Sequence, residues 1–554
     1  MKKINNIVLA ASFLMVSMNS CDEDYLMKFP LDKPSDATFY STESELSLAV
    51  NAIYNDLYFH PTVSMPMHLV LDAASDIGWD RDQNSDLQLL SRSLQNPTQS
   101  WYSNTWFKYY QGISKSNLLL ANMEKAKQKT NAGVFSRIEG EARFFRAYNY
   151  FLLISFFGDV PLIKEPIAVS EKLAVVPKTE ILNFVLDELE AASLLLPDKY
   201  IGNDIGRITK GGALAIKARA ALFNEKWGIA ADACLKVIAS GTYSLEPKYD
   251  NLFGYAGENS KEPIISIQYS RVNKKVHGTP IALFSRMAAG YSNKVPTQTL
   301  VDSYLCTDGL PINTSPLYYA AQPFKNRDPR LNATVVVPGS IFAGYQFETH
   351  PDSIKCWDYN VTPAVRRNNN DVLNPYATFS GYCWRKYTGE VNQYRGESEM
   401  NIALIRYAEV LLMYAEAKNE LNQMDQSVYD AFNLVRKRVN MPIVSNKSQS
   451  EMRYILRQER KVELAMEGLR FFDIRRWKIA PDVMQGPLYG RPKRDYLAEY
   501  VPTFDQNGTP IYNKYADKLK VFDQRTFNIQ RDYLWPIPQK ELDINHNIKQ
   551  NTGY

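Results

Sequence analysis

Two distant stretches of the chain, 206–245 and 402–440, each have the pattern of two helices joined by a short polar turn. The first stretch divides near Asn224 and carries the small residues Ala215, Ala218 and Ala221 before that turn. Small side chains let a neighbouring helix approach closely, and an apolar helix face must be buried against another element. The sequence therefore predicts a scaffold of packed helical pairs.

Helical periodicity extends over most of the first half of the chain. Four more segments have apolar residues at helical spacing: 44–58, 105–126, 135–161 and 178–197. The third of them stops at Gly158 and Pro161, which are typical of a helix C-terminus. Together with the two pairs, these helices resemble tetratricopeptide repeats, although the repeat is degenerate and a long insertion interrupts it. The expected fold class is mainly α.

The insertion, at about 245–400, is rich in Asn, Pro, Gly, Tyr and Thr and contains only short strand-like pieces. Those pieces include PIISIQYS at 263–270 and LNATVVVPG at 331–339. Long loops on a helical scaffold are where binding usually occurs. We expect three regions: a leader at 1–20, an N-terminal helical region at 21–240, and a C-terminal region at 241–554 that contains the insertion and the returning helices.

The first 21 residues have the features of an export leader. Lys2 and Lys3 precede the apolar run 7–16, which is too short to span a bilayer comfortably and fits a signal peptide. Cys21 follows the small residue Ser20, as in a bacterial lipobox, where the cysteine thiol takes a diacylglycerol. Ordinary signal cleavage beside an incidental cysteine is the alternative. We favour lipidation, which anchors the mature protein to a membrane through Cys21.

The net charge of +4 is small for 554 residues and gives no reason to expect nucleic acid as a partner. Four cysteines follow Cys21 without C-x-x-C spacing, so neither a disulfide scaffold nor a zinc site is expected. A bridge between Cys356 and Cys383 stays open. The chain also has no G-x-S-x-G, H-E-x-x-H or G-x-x-x-x-G-K-[ST] pattern. We therefore expect no cofactor, no metal and no catalytic residues.

Three glutamates, Glu459, Glu463 and Glu467, recur every four residues and lie on one face of a predicted helix. Paired carboxylates can hydrolyse glycosides or hold a metal. However, a carboxylate beside a guanidinium stays ionised and is a poor general acid. Arginines surround this ladder in sequence, at Arg460, Arg470, Arg475 and Arg476, and Asp473 lies among them. The pattern predicts a structural salt-bridge network.

Five segments of the chain resemble the SusD/RagB family in order and spacing. They are GEARFFRAYNYFLLISFFGDVPLI (140–163), GRITKGGALAIKARAALF (206–223), IRYAEVLLMYAEAKNEL (405–421), RQERKVELAMEGLRFFDIRRW (457–477) and YLWPIPQKELDINHNIKQNTGY (533–554). DGLP at 308–311 and RDPR at 327–330 fit mid-chain markers of the same family. One departure is Thr552, where the family often has proline. The resemblance covers essentially the whole chain from Cys21 to Tyr554.

The resemblance implies a lipid-anchored protein of the Gram-negative outer membrane that faces the cell exterior. Members of the family cover a SusC-like TonB-dependent β-barrel transporter, capture nutrients, usually oligosaccharides, and deliver them into the barrel. Asp22, Glu23 and Asp24 resemble the surface-export signal of bacteria that carry this family. A solvated linker is the alternative for these acidic residues.

Aromatic residues make up 12% of the chain, and its tryptophans divide into two groups. We expect a core position for those in helices with the family's pattern or in the tail motif: Trp106, Trp227, Trp477 and Trp535. The others lie in polar or loop-rich sequence, where an indole face can stack on a sugar ring and polar neighbours can bind its hydroxyls. The predicted glycan-binding residues are Trp79, Asp80, Arg81, Trp101, Tyr291, Trp357 and Trp384. For each tryptophan, a hydrophobic plug under a loop is the alternative.

We therefore expect capture of an extracellular oligosaccharide or polysaccharide without covalent chemistry. Two alternatives stay open. A surface glycoside hydrolase requires two carboxylates about 5–10 Å apart across a groove. A lipoprotein that binds peptides or another nutrient would use the aromatic loops for that partner instead.

Overall fold

The computed structural model describes residues 39–61, 65–168, 171–390 and 394–554. The predicted leader, Cys21 and the acidic residues 22–24 lie outside the described residues. The helices are α1 (Glu43–Tyr54), α2 (Met67–Val70), α3 (Asp86–Ser91), α4 (Ser100–Asn122), α5 (Ala132–Phe157), α6 (Lys178–Leu195), α7 (Lys210–Phe223), α8 (Trp227–Ala239), α9 (Thr279–Leu283), α10 (Gln298–Ser303), α11 (Arg330–Thr334), α12 (Asn370–Leu373), α13 (Tyr407–Glu420), α14 (Gln426–Arg438), α15 (Gln449–Glu463), α16 (Arg470–Arg476), α17 (Ala480–Val483) and α18 (Gln539–Ile544). The strands are β1 (Gly78–Asp80), β2 (Pro263–Ile267), β3 (Lys294–Pro296), β4 (Val335–Val336), β5 (Ile341–Phe342), β6 (Tyr345–Gln346), β7 (Lys355–Asp358), β8 (Val365–Asn368), β9 (Cys383–Trp384), β10 (Ile402–Arg406), β11 (Gly486–Pro492), β12 (Thr503–Phe504), β13 (Pro510–Ile511) and β14 (Leu519–Arg525).

The helices α4 to α8 pack against one another in chain order and form a helical stack. Helix α13 continues this stack by packing on α8, although the whole insertion separates the two helices in sequence. Helices α14 and α15 then pack on α13. The predicted fold class, a mainly helical, tetratricopeptide-like scaffold with a loop-rich insertion that carries short strands, is confirmed.

Local sequence signals fix the ends of several helices. Asn131 caps α5, because its side-chain oxygen accepts hydrogen bonds from the N–H groups of Gly133 and Val134. The same helix ends at Gly158, whose φ of +78° suits glycine. Ser448 and Glu451 form a reciprocal capping box at the start of α15. These signals set the length of α5, which carries much of the aromatic core, and the start of α15, which carries the glutamate ladder.

The strands form small antiparallel groups. β1 pairs with β3, β4 with β9, β11 with β14 and β12 with β13, while β5 to β8 form a four-stranded sheet in chain order. Trp79 of β1 lies opposite Val295 of β3. The pairing of β2 with β10 ties the two ends of the insertion together, with Ile267 opposite Ile402.

The glutamate ladder of α15 and the turn after it lies in a buried network of ion pairs, so the predicted structural network is confirmed. Its partners, however, come from other elements and not from the arginines that are adjacent in sequence. The pairs are Glu459 with Arg330 and Arg436, Glu463 with Arg330, Arg406 and Arg438, and Glu467 with Arg406 and Lys386. The adjacent arginines pair elsewhere: Arg460 and Arg476 with Asp473, and Arg470 with Asp76.

The side chains expected in the core are buried. Trp106, Trp477 and Trp535 belong to hydrophobic clusters, and Trp227 is half-buried against the main cluster. Cys234, Cys306, Cys356 and Cys383 are buried free thiols. The disulfide between Cys356 and Cys383, which the sequence allowed, is therefore not formed.

Candidate functional site

Arg81 lies directly after strand β1, where it joins two loops of the insertion. Its backbone N–H donates to the carbonyl of Asn293 at 2.7 Å, which extends the pairing of β1 with β3. Its guanidinium Nη1 donates to the backbone carbonyls of both Tyr291 and Tyr376. Burial and the neighbouring Arg286 guanidinium lower the pKa of Arg81. One side chain thus holds together three segments that are far apart in sequence.

Two arginines lie over the ring of Tyr376. The Cζ atom of Arg81 is 5.6 Å from the ring centroid and that of Arg286 is 6.0 Å from it. Arg286 Nε also donates to the Tyr376 carbonyl at 3.0 Å. Tyr376 is 62% exposed and Tyr291 is 41% exposed. We name Arg81, Arg286, Tyr291 and Tyr376 the Arg81 patch, since it offers two open rings beside two guanidinium groups.

Asp371 supports the patch from the interior. It lies in the first turn of α12, and its buried carboxylate Oδ1 accepts hydrogen bonds from the backbone N–H groups of Arg286 and Met287 at 2.6 and 3.3 Å. Burial raises the pKa of Asp371 to about 6. The acid therefore fixes the backbone from which Arg286 projects.

A second group of exposed aromatic side chains lies on the β7–β8 hairpin. Trp357 is 36% exposed, and its ring stacks on that of Tyr359 with centroids 6.5 Å apart. Arg366, its partner on β8, has its guanidinium 5.3 Å from the indole centroid. Strand β8 leads through Asn369 into α12 and then to Tyr376. One continuous stretch, 355–376, therefore carries Trp357, Tyr359 and Tyr376.

The prediction that Trp79 presents an open indole face is wrong. Its side chain is 3% exposed and packs against Phe379 and Phe522, with ring centroids 5.3 and 5.0 Å away. Its Nε1 donates to Oδ2 of Asp523 at 2.7 Å. The charged neighbours in sequence do not reveal these partners, because they come from segments 300 or more positions later.

The same correction applies to Trp101 and Trp384, which are both buried. Trp101 lies against Tyr102 and, edge-on, against Trp535. Trp384 lies on β9 opposite Val335 and belongs to the main hydrophobic cluster. These two tryptophans and Trp79 are thus buried hydrophobic plugs, which is the alternative that the sequence left open.

Asp80 is also buried, so the prediction that it binds ligand is wrong for this structure. Its Oδ1 accepts a hydrogen bond from Lys294 Nζ at 2.7 Å, and its Oδ2 accepts one from Ser85 Oγ at 2.7 Å. A carboxylate held by an ammonium and a hydroxyl is already satisfied. Asp80 therefore stabilises the β1–β3 pair.

Three predicted residues, Arg81, Tyr291 and Trp357, keep surface that a ligand can reach. Sequence reasoning missed Tyr376 and Arg286, which complete the patch. Tyr376 follows Asn374 and Pro375, a turn signal that places an aromatic ring in a loop and could have marked it. Arg286 carries no such signal, because only the folded chain brings it to Arg81.

Two further kinds of feature are absent from the described ranges: a helix that could cross a membrane and a cluster of side chains that could hold a metal ion. No helix there is long and apolar enough to cross a membrane. No three His, Cys, Asp or Glu side chains in the same ranges lie close enough together to hold a metal ion.

Comparison with known proteins identifies the family of this chain. Residues 261–554, more than half of the chain, match the family model described as the SusD family. The chain belongs to the SusD family. A second model, described as "Starch-binding associating with outer membrane", matches residues 31–222. The resemblance inferred from the sequence is thus confirmed. The SusD-family match includes Tyr291, Trp357 and Tyr376, and the second match includes Arg81.

Relatives of the SusD family align along nearly their whole length. A SusD-like protein P25 of Formosa agariphila is 26% identical, over 88% of this chain and 92% of its own. A SusD-like protein of Bacteroides ovatus is 24% identical, over 98% and 96%. A crystal structure of a SusD-like carbohydrate binding protein from Bacteroides fragilis superposes with a TM-score of 0.81 at 29% identity, covering 92% of this chain and all of that one.

Proposed function

We propose that this SusD-family protein binds an oligosaccharide or polysaccharide at the cell surface and passes it, chemically unchanged, to a partner TonB-dependent transporter. The observation that carries the proposal is the Arg81 patch, in which two guanidinium groups lie over the exposed Tyr376 and one of them holds the backbone of the exposed Tyr291. The relative of known structure that is 29% identical is a carbohydrate binding protein, which supports the same conclusion.

The patch has the two chemistries that a sugar requires. Aromatic faces cover the apolar C–H face of a pyranose, and stacking contributes about 0.5–1.5 kcal/mol beyond buried area if the value for aromatic pairs applies. The guanidinium groups of Arg81 and Arg286 carry more N–H donors than their contacts to the two carbonyls use, and these donors suit ring hydroxyls. Trp357 and Tyr359 extend the aromatic surface along the same stretch of chain.

Binding without hydrolysis agrees with the state of the glutamate ladder. A glycoside hydrolase needs one carboxyl group whose pKa is raised, so that it can donate a proton. Burial raises the pKa of Glu463, but Arg438, Arg406 and Arg330 outweigh that effect and hold it below its usual range. Arg406 and Lys386 likewise outweigh the effect of burial and lower the pKa of Glu467. These carboxylates are ionised and enclosed, which suits a structural role.

Anchoring and delivery complete the proposal. A diacylglycerol on Cys21 would hold the protein at the outer membrane, facing the exterior, and the lipobox-like sequence before that cysteine supports it. The family description that names association with the outer membrane agrees with this location. We propose that a SusC-like β-barrel receives the sugar, as the resemblance of the sequence to the SusD/RagB family implies.

The test is affinity gel electrophoresis and calorimetric titration against a panel of neutral and acidic polysaccharides. We expect the parent to bind at least one glycan in the micromolar to millimolar range, about −8 to −4 kcal/mol. Tyr376→Ala and Trp357→Ala should each weaken that binding about fivefold, since a lost stacking contact is worth roughly 1 kcal/mol.

The matched control is Phe107→Ala, which removes an exposed aromatic ring from helix α4 of the stack, outside the Arg81 patch and the hairpin. Its glycan affinity should equal that of the parent. Failure of the parent to bind any glycan, with capture of peptides instead, would replace the sugar by the alternative nutrient. Equal affinity of the parent, Tyr376→Ala and Trp357→Ala would remove the Arg81 patch and the hairpin from the site.

A further inference from the structure

A cleft of about 600 Å³ lies between the helical stack and the C-terminal tail, away from the elements that form the Arg81 patch. It is lined by the end of α5, the start of α6, the turn between α7 and α8, helix α16 and the tail near Tyr533. Its volume is within the range of small-molecule sites. We name it the Arg475 cleft after its most deeply buried charged side chain.

Arg475 is a buried cation without an anionic partner. It is 8% exposed, and no carboxylate of the described chain forms an ion pair with it. Its Nη1 donates to the Phe471 carbonyl at 3.0 Å, its guanidinium carbon lies 3.6 Å from the Phe471 ring centroid, and its Nε has no hydrogen-bond partner among the described residues. Burial lowers the pKa of Arg475 to about 10.

The adjacent Arg476, on the same helix, has carboxylate partners for its guanidinium. Arg476 pairs with Glu416 at 2.6 Å and with Asp473 at 2.8 Å. Although burial lowers its pKa, these two carboxylates outweigh the effect and raise the pKa of Arg476 above its usual value. The protein therefore neutralises Arg476 with two ion pairs, whereas Arg475 has none within the described residues.

Two lysines add to the positive charge of the cleft. Lys178 and Lys478 both line it, and neither forms an ion pair within the described chain. Burial and the nearby Lys478 ammonium lower the pKa of Lys178. The Nζ atom of Lys478 lies 4.3 Å from the ring centroid of Tyr533. Arg475 and these two lysines thus share one opening with Lys226, which lines it from the turn between α7 and α8.

Acids lie near the cleft and their charges reach Lys178 and Arg475, but none of them forms an ion pair with Arg475, Lys178 or Lys478 within the described residues. Asp159 lines the cleft, but its Oδ1 accepts the backbone N–H of Lys178 at 2.8 Å. Asp532, whose charge reaches Arg475, is engaged by Arg531 and by Gln95. Glu225 is exposed on the rim, in the turn between α7 and α8. A buried charge without an ion-pair partner is unfavourable, and an external anion would relieve that cost.

We propose that the Arg475 cleft binds the carboxylate, sulfate or phosphate group of a small molecule, with Arg475 at its floor and Lys178 and Lys478 at its sides. A guanidinium recognises such oxyanions through parallel N–H donors, and two ammonium groups add charge without fixing orientation. The site is separate from the Arg81 patch, so this proposal does not depend on the proposed function.

The test is calorimetric titration of the whole mature chain at low ionic strength with inorganic sulfate, inorganic phosphate, glucuronic acid and, as the neutral match, glucose. We expect at least one of the three anions to bind with a millimolar or lower Kd, and glucose not to bind in the same range. Binding should weaken as NaCl is added, because salt screens the cations of the cleft. Binding of sulfate or phosphate but not of glucuronic acid would indicate that the ligand is a free inorganic anion. Binding of glucuronic acid would indicate that the ligand is an acidic sugar.

The variants separate the cleft from general surface charge. The double variant K178Q/K478Q should weaken anion binding at least tenfold, and Arg475→Gln should abolish it. Lys129→Gln, which removes an exposed lysine outside the cleft, should leave it unchanged. Circular dichroism and the melting temperature check that each variant folds. If Arg475→Gln does not fold, K178Q/K478Q still tests the proposal. Absence of anion binding by the parent, or equal binding by parent and K178Q/K478Q, overturns the proposal.

Discussion

Glu463 depends on partners that three other elements supply. Arg330 of α11, Arg406 of β10 and Arg438 of α14 all form ion pairs with its buried carboxylate. Because these attractions outweigh the effect of burial, the pKa of Glu463 lies well below that of a glutamate in an unfolded chain. The ionised carboxylate is therefore part of what joins the insertion to the returning helices.

Replacing Glu463 with Gln should lower the free energy of unfolding by about 3–5 kcal/mol at pH 7, because it leaves buried guanidinium groups without their counter-charge. The stabilising contribution of Glu463 is present above the unfolded pKa of about 4.3 and is lost as the pH falls below it. The parent should therefore lose stability more steeply than Glu463→Gln between about pH 5 and pH 3. Urea denaturation at a series of pH values measures both quantities.

Glu451→Gln is the matched control for this prediction. Glu451 lies on the same helix but is exposed and caps the first turn, where glutamine can take its place, so Glu451→Gln should cost much less than Glu463→Gln. Equal losses for the two variants, or identical acid slopes for parent and Glu463→Gln, would contradict the role assigned to the network.

Single residues also show where sequence reasoning succeeds and where it stops. The repeat of glutamates every four residues among arginines was enough to predict a structural network, because like-signed carboxylates on one helix face need cations nearby. The same reasoning failed at Trp79, where three charged neighbours suggested a loop open to solvent. Its real surroundings, Phe379, Phe522 and Asp523, come from distant segments, and no local pattern encodes them.

The turn between α15 and α16 is an element whose geometry admits only glycine at one position. Gly468 has φ +75°, and its N–H donates to Oδ2 of Asp72 at 3.1 Å. A Cβ atom on Gly468 would lie 1.6 Å from the carbonyl oxygen of His68. Because that obstacle is backbone, it cannot move aside as a side chain can.

Gly468→Ala should therefore lower the free energy of unfolding by at least about 3 kcal/mol, by adding a steric clash to the cost of a left-handed conformation. Gly241→Ala separates the two causes, because Gly241 has φ +63° and a Cβ atom added there would meet no atom of the described residues within 4 Å. Gly241→Ala should lower the free energy of unfolding by only about 1–2 kcal/mol. Chemical denaturation of both variants checks this, and equal losses would show that the contact with His68 relaxes.

Helices could be predicted from the sequence, whereas most strand pairs could not. Apolar spacing over 15 or more residues identifies α5 and α13, since a helix records its buried face within its own sequence. The β1–β3 and β11–β14 pairs join short segments that carry little pattern, and their register depends on what they pack against. The Arg81 patch depends on such a pair, which explains why only part of it was found.

At the scale of the whole molecule, the two halves share one core. Trp535 of the C-terminal tail stacks on Phe156 of α5 with centroids 4.0 Å apart, and its backbone N–H donates to the Phe156 carbonyl at 2.7 Å. Asp76 and Arg470 form a buried ion pair 2.7 Å long between the same halves. The regions 21–240 and 241–554 expected from the sequence are therefore in extensive contact.

We predict a single cooperative thermal transition for the mature chain, and a loss of about 3–5 kcal/mol for Trp535→Ala that lowers the whole transition. Differential scanning calorimetry measures both, and Trp227→Ala, which removes a half-buried indole from the stack, should cost less. Two separate transitions, with only the later residues affected by Trp535→Ala, would show that the halves unfold independently.

The antiparallel ladder of β2 and β10 has a consequence for how such a protein can diversify. Because Ile267 and Ile402 lie side by side, the segment between them leaves the helical stack and returns to it at one point. Doubling the length of a closed loop costs only about 0.6 kcal/mol of chain entropy. Evolution can therefore lengthen or shorten the exposed loops of that segment and alter what is recognised, while Arg330 and Lys386 within it keep their ion pairs with the glutamate ladder.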